Sequence, residues 1–243
     1  PVVRWKVDLT DDGYAGPCAA GGLVYIVDHV ADKDVVRAFD VETGKERWRY
    51  AYEIGSEQWR FTKTQPTQSV YGFSRATPTV AKNRVYTLSR EGHLNCLDAR
   101  TGALIWKRHL KYDFGGVIPA WGYTSPPLVY NGEVIVWPGG EKTAIAALNP
   151  ADGSVIWQGG EGDIAGYGMP VPATILGKRQ FAMTVFSGFV GAEAGTGKVL
   201  WRIPWETTDG TNIACPIVIG NSVFVTSSYD MGSALYDITP EGP

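Results

Sequence analysis

Apolar and polar residues alternate in short runs along most of this chain, and the runs repeat. Stretches rich in β-branched and aromatic residues fill 23–27, 84–88, 133–137, 180–185 and 222–226. A turn pair precedes each: Gly21-Gly22, Lys82-Asn83, Asn131-Gly132, Gly177-Lys178 and Gly220-Asn221. A proline opens each unit further upstream, at Pro17, Pro78, Pro126, Pro170 and Pro216. Period-two runs separated by turn residues predict antiparallel strands.

An eleven-residue motif closes four of these units without a gap, at 38–48, 96–106, 147–157 and 191–201. An acidic or amide residue comes first: Asp40, Asp98, Asn149 or Glu193. A glycine follows four residues later, at Gly44, Gly102, Gly153 and Gly197, and a tryptophan four after that, at Trp48, Trp106, Trp157 and Trp201. Asp and Asn at the end of a strand accept hydrogen bonds from the N–H groups of the turn, a role that suits the longer Glu193 less well. The glycines supply positive φ. The tryptophan ends the next strand with a large surface to bury, and a lone hairpin is marginal in water, so the next repeat is its expected partner.

Four strands per unit, with tryptophans 43 to 58 residues apart, predict an all-β chain: a β-propeller of about five four-stranded antiparallel blades. The expected blades are 14–50, 72–109, 122–159, 166–204 and 212–238, with residues 1–9, around Trp5, as an outer strand lacking its own blade. The Asp-x-x-Thr-Gly-x-x-x-Trp pattern resembles the tryptophan-docking motif of the PQQ-like, quinoprotein-type propeller family. Phrases such as 74–80 and 91–98 are similar to bacterial PQQ-binding-like repeat proteins. The resemblance covers the chain from Trp5 to about Ile238. It implies a ring of seven or eight blades and a periplasmic or secreted setting. On that basis the chain reads as part of a longer propeller, with open blade edges that would self-associate.

Chemistry is sparse by comparison. The formal charge of −3 gives no basis for nucleic-acid binding, and no apolar run reaches the roughly 20 residues of a membrane span. Cys18, Cys96 and Cys215 are far apart, form no CxxC and read as buried small residues. Quinoprotein dehydrogenases of the resembled family hold PQQ beside calcium under a disulfide of adjacent cysteines. This chain has no such pair and no DxDxDG-like loop, and Asp11-Asp12-Gly13 and Asp32-Lys33-Asp34 read as solvated turns. The 195–198 stretch, Gly-Thr-Gly-Lys, lacks the flanking residues of a phosphate loop. His29, His93 and His109 read as separate surface histidines. No catalytic residue, cofactor or metal is therefore expected.

Two long connections between blades stand out. The segment 50–73 carries Trp59, Arg60, Phe61 and Tyr71, with Arg75 just beyond, and 111–123 carries Phe114, Trp121 and Tyr123. Each joins an outermost strand to the next innermost one, so both belong to one face of the ring. Aromatic residues with arginine favour binding. The expected function is a non-catalytic scaffold holding a protein, peptide or glycan on that face. The alternative is a fragment of a PQQ-dependent dehydrogenase.

Overall fold

A computed structural model describes residues 1–10, 13–54, 74–228 and 230–242. Trp59, Arg60, Phe61 and Tyr71 lie outside the described residues. The chain is nearly all β. The first sheet runs β1 (Cys18–Ala20), β2 (Leu23–Val30), β3 (Lys33–Asp40) and β4 (Glu46–Glu53), hydrogen-bonded in that order. The second is β5 (Thr79–Ala81), β6 (Arg84–Leu88), β7 (His93–Asp98) and β8 (Leu104–His109). The third is β9 (Leu128–Tyr130), β10 (Glu133–Val136), β11 (Ile145–Leu148) and β12 (Val155–Gly159). The fourth is β13 (Val171–Ile175), β14 (Lys178–Val185), β15 (Gly188–Glu193) and β16 (Val199–Pro204). The fifth has three strands, β17 (Ile217–Ile219), β18 (Ser222–Ser227) and β19 (Gly232–Asp237). A short helix, α1 (Leu110–Phe114), follows β8.

Each first strand begins just past its proline, where a missing N–H breaks no ladder. The apolar faces of successive sheets meet. Tyr25, Val27, Val36 and Ala38 pack with Val85, Leu97 and Ala99 across the first seam. Tyr86, Cys96, Ile135, Ala147, Phe181 and Val190 belong to one core through the second, third and fourth sheets. Ile175, Phe189 and Ile203 join Val223 and Val225 at the last seam. These are blades stacked face to face, as the repeats predict.

The motif turns fold as their chemistry requires. Asp40 Oδ1 accepts the N–H groups of Glu42 and Thr43, Asp98 Oδ1 those of Arg100 and Thr101, and Asn149 Oδ1 that of Ala151. Glu193 instead takes the Thr196 hydroxyl. Gly44, Gly102, Gly153 and Gly197 have φ of 69°, 73°, 71° and 71°. A bulge interrupts the ladder one step before the tryptophan in all four complete blades, at Ala38/Phe39, Cys96/Leu97, Ala147/Leu148 and Gly191/Ala192. Such a bulge re-aims the side chain that follows it.

Three tryptophans share one placement. Trp5, Trp48 and Trp106 donate Nε1–H to the carbonyls of Val41, Ala99 and Pro150, the residue after the first motif position of the following turn. Their rings lie on Gly44, Gly102 and Gly153, where an added Cβ would come within 2.7, 2.5 and 2.8 Å of a ring atom. Trp157 and Trp201 depart from the expected equivalence. Trp157 bonds Glu133 of its own blade and stacks on Phe181, while Gly197 packs on the backbone of Gly159. Trp201 is buried but lies over Gly191 and bonds Gln180, both in its own sheet. Residues 1–9 form no strand; they follow the first blade, where Asp8 O accepts from Arg37 and Thr10 bonds Asp28. Among the described residues, β19 pairs with β18 alone.

Candidate functional site: the loop face

In an antiparallel blade, the turn between the second and third strands and the connection to the next blade emerge on the same side. Hydrogen bonds here weld these segments into a continuous layer. Tyr14 and Ala15 donate to Ser74 O, and Tyr123 donates its N–H to Arg90 O. Thr124 and Ser125 donate to the carbonyls of Tyr167 and Gly168, and Tyr167 donates to Asn212 O. The Asn212 side chain, fully buried, donates to the carbonyls of Val185, Phe186 and Trp205 and accepts from Ser227. Exposed apolar side chains stud this layer: Tyr14, Tyr112, Val117, Met169, Phe186 and Ile213.

The sequence-derived ligand residues divide here. Tyr123 and Phe114 are buried and cannot form the contact face expected of them. Tyr123 is 3% exposed, and its hydroxyl donates to Pro138 O at 2.8 Å. Burial pushes its pKa well above the ordinary phenol. Phe114 packs into the core under α1. Both carry the 110–123 connection from beneath. Trp121 is half-buried and its N–H meets the Tyr167 hydroxyl. Arg75, also half-buried, sits over the Tyr14 ring, and burial together with Arg90 lowers its pKa. Of the exposed set, Tyr112 and Val117 lie in the long 111–123 connection, while Tyr14, Met169, Phe186 and Ile213 sit in segments that carry no motif.

Beneath the layer, polar groups are sealed in the first seam. His29 is 4% exposed, a correction to its surface reading, because its neighbour strand β3 supplies a partner: Nδ1 lies 3.1 Å from Asp34 Oδ1. Tyr52 donates to the other Asp34 oxygen, and burial followed by the Asp34 charge pushes the Tyr52 hydroxyl far up. Glu91 is buried against Arg90; burial raises its pKa and the arginine pulls the other way. His93 and His109 also converge, with ring centroids 4.4 Å apart. Burial, then His109 and Lys107, depress the His93 pKa to about 4. Of the three cysteines expected to be buried only Cys96 is; Cys18 is half-buried and Cys215 exposed, a correction to that reading, and all are free thiols.

A family model described as outer membrane protein assembly factor BamB matches residues 2–55 and 50–241. The chain belongs to this PQQ-like β-propeller family. BamB of Moranella endobia (strain PCIT) is 28% identical over 123 residues, covering 51% of this chain and 27% of that protein. A 1-butanol dehydrogenase (cytochrome c) of Thauera butanivorans is 27% identical over 143 residues, 58% of this chain and 19% of that protein. Quinohemoprotein alcohol dehydrogenase ADH IIB of Pseudomonas putida is 30% identical over 164 residues, 64% of this chain and 21% of that protein. The matched part is thus about a fifth to a quarter of each relative's length. Among solved structures, BamB from Moraxella catarrhalis superposes with a TM-score of 0.61 at 16% identity, covering 96% of this chain and 64% of that one. Quinohemoprotein alcohol dehydrogenase from Comamonas testosteroni gives 0.56 at 18% identity, covering 94% and 44%. These two likenesses carry the propeller fold. Proteins named as BamB and as alcohol dehydrogenases share that architecture.

Proposed function

We propose that this propeller is a non-catalytic scaffold that holds a protein or peptide on its loop face. The observation that supports this most is the placement of Tyr14, Tyr112, Val117, Met169, Phe186 and Ile213, exposed on a layer whose backbone is fixed by hydrogen bonds. Pre-ordered loops bearing apolar anchors lose little entropy on binding. Relatives named as assembly factors agree with a protein partner rather than the glycan that the sequence leaves open. A periplasmic or secreted location is part of the same proposal; no described helix is long and apolar enough to cross a membrane. The outer edge of β19 offers unpaired backbone groups, and self-association through it is proposed as well.

The second reading, a fragment of a PQQ-dependent dehydrogenase, draws support from the dehydrogenase relatives. The described residues do not fit the group. Among the described residues no three His, Cys, Asp or Glu side chains gather as metal ligands. Titration with PQQ and Ca²⁺, followed by absorbance and by dye-linked alcohol oxidation, separates the readings. The scaffold shows neither saturable binding nor turnover; Ca²⁺-dependent micromolar affinity with turnover would replace it by the dehydrogenase.

A further inference from the structure

His93 and His109 face each other across β7 and β8 as a register pair, with rings in a T-shaped arrangement. Each ring holds one piece of the loop face through Nδ1. His109 is the N-cap of α1, and its Nδ1 accepts the Lys111 N–H at 3.3 Å. A backbone N–H only donates, so this nitrogen carries no proton. On the other ring, Ser89 Oγ accepts the His93 N–H at 3.0 Å and lies 3.2 Å from His93 Nδ1. The serine hydroxyl can donate to Nδ1 or, turned about, accept from it, so this contact closes the Ser89–His93 turn in either case. The His109 ring, held as an acceptor at Nδ1, carries its proton on Nε2.

The two pieces are linked. Leu110 N–H donates to Gly92 O, and Tyr123 N–H donates to Arg90 O, so the 89–93 turn anchors both ends of the 110–123 connection. We propose that the His93–His109 pair is a proton-operated switch of the loop face. Proton uptake at His109 Nδ1 turns an acceptor into a donor, breaks the α1 cap, and loosens the connection that carries Tyr112 and Val117.

The surrounding groups set the response. From β4, the Tyr52 ring meets His93 at 5.9 Å, with its hydroxyl on Asp34 and His29 behind. From the turn come Ser89, Arg90 and Glu91, and from β8 Lys107, whose charge opposes protonation of His93. From α1 come Lys111, Tyr112 against the His109 ring, and Asp113, whose carboxylate accepts the His109 N–H at 2.8 Å. A first proton on either ring opposes a second on its neighbour. His93 has its pKa held down to about 4, so at neutral pH it places no charge beside the His109 cap.

The test is nitrogen NMR of the imidazoles with amide hydrogen exchange on the full chain, which needs no partner and so stands apart from the scaffold proposal. Near neutral pH the His109 Nδ1 signal is expected to be unprotonated. On acidification, exchange at residues 110–116 and at Tyr123 is expected to rise roughly tenfold beyond the intrinsic pH effect, in step with the imidazole titration. His109→Asn supplies a cap that does not titrate and is expected to remove the step in 110–116. A protonated His109 Nδ1 at neutral pH overturns the proposal. So does a connection whose exchange ignores both titrations in the unmodified chain, which keeps the test valid if the variant fails to fold.

Discussion

At the residue scale, the clearest result is that one tryptophan position does two different things. Trp5, Trp48 and Trp106 reach the next turn; Trp157 and Trp201 fold back on their own blades. Trp106 is 7% exposed, so Trp106→Ala should destabilise by about 3–5 kcal/mol, measured by denaturant unfolding, with a smaller loss for the half-buried Trp157→Ala. Gly102 and Gly177 share nearly the same φ, 73° and 74°, but a Cβ meets the Trp48 ring at Gly102 and open space at Gly177. Gly102→Val should therefore lower the unfolding midpoint well beyond Gly177→Val; equal losses would mean that strain in φ, not ring contact, explains the motif glycine. The Asp, Gly and Trp positions were legible because each answers a local rule. The split among tryptophans was not, because it depends on Gln180, Glu133 and Phe181, which lie on other strands.

At the element scale, alternation located the strands and turn pairs closely, while the bulge before each tryptophan is a one-residue slip that no composition signals. The histidines were misread for a related reason: a lone His at a strand end looks exposed until its cross-strand neighbour is known. His93 binds its proton more weakly when folded, with a pKa lowered from 6.5 to about 4. Across that window the unfolded chain holds more protons, so stability rises from pH 4 to 6.5 and is lost as pH falls back through it. Glu91 acts with the opposite sign. Its raised pKa makes the folded chain the better proton binder, so its contribution falls as pH rises above the ordinary carboxylate value of 4.5. Urea midpoints measured across acid pH should show the histidine slope, flattened in His93→Gln. An unchanged slope in that variant would assign the acid response to another group.

At the scale of the whole molecule, repetition made the propeller legible, because four blades write the same sentence. The proposed binding face was only half legible. The long 111–123 connection carries two of its exposed side chains, Tyr112 and Val117, but its most conspicuous aromatic residues, Phe114 and Tyr123, serve as its foundation. Large aromatics in a short domain are more easily sealed than displayed, and exposure is decided by what the neighbouring loops cover. The β19 edge gives a simple check on self-association: the sedimentation coefficient should rise with protein concentration, and Leu235→Lys beside that edge should weaken the rise.

The scaffold account is tested most directly by site-specific photo-cross-linking in an extract of the source organism. A photoreactive residue replaces, one at a time, Tyr112 and Phe186 on the loop face, or Leu104 and Ile156 on the outer strands. All four positions are exposed and apolar, so general stickiness affects them alike. The account predicts the same discrete protein adduct from positions 112 and 186, and none from 104 or 156. Adducts that appear equally at all four, or at the outer strands alone, would contradict it.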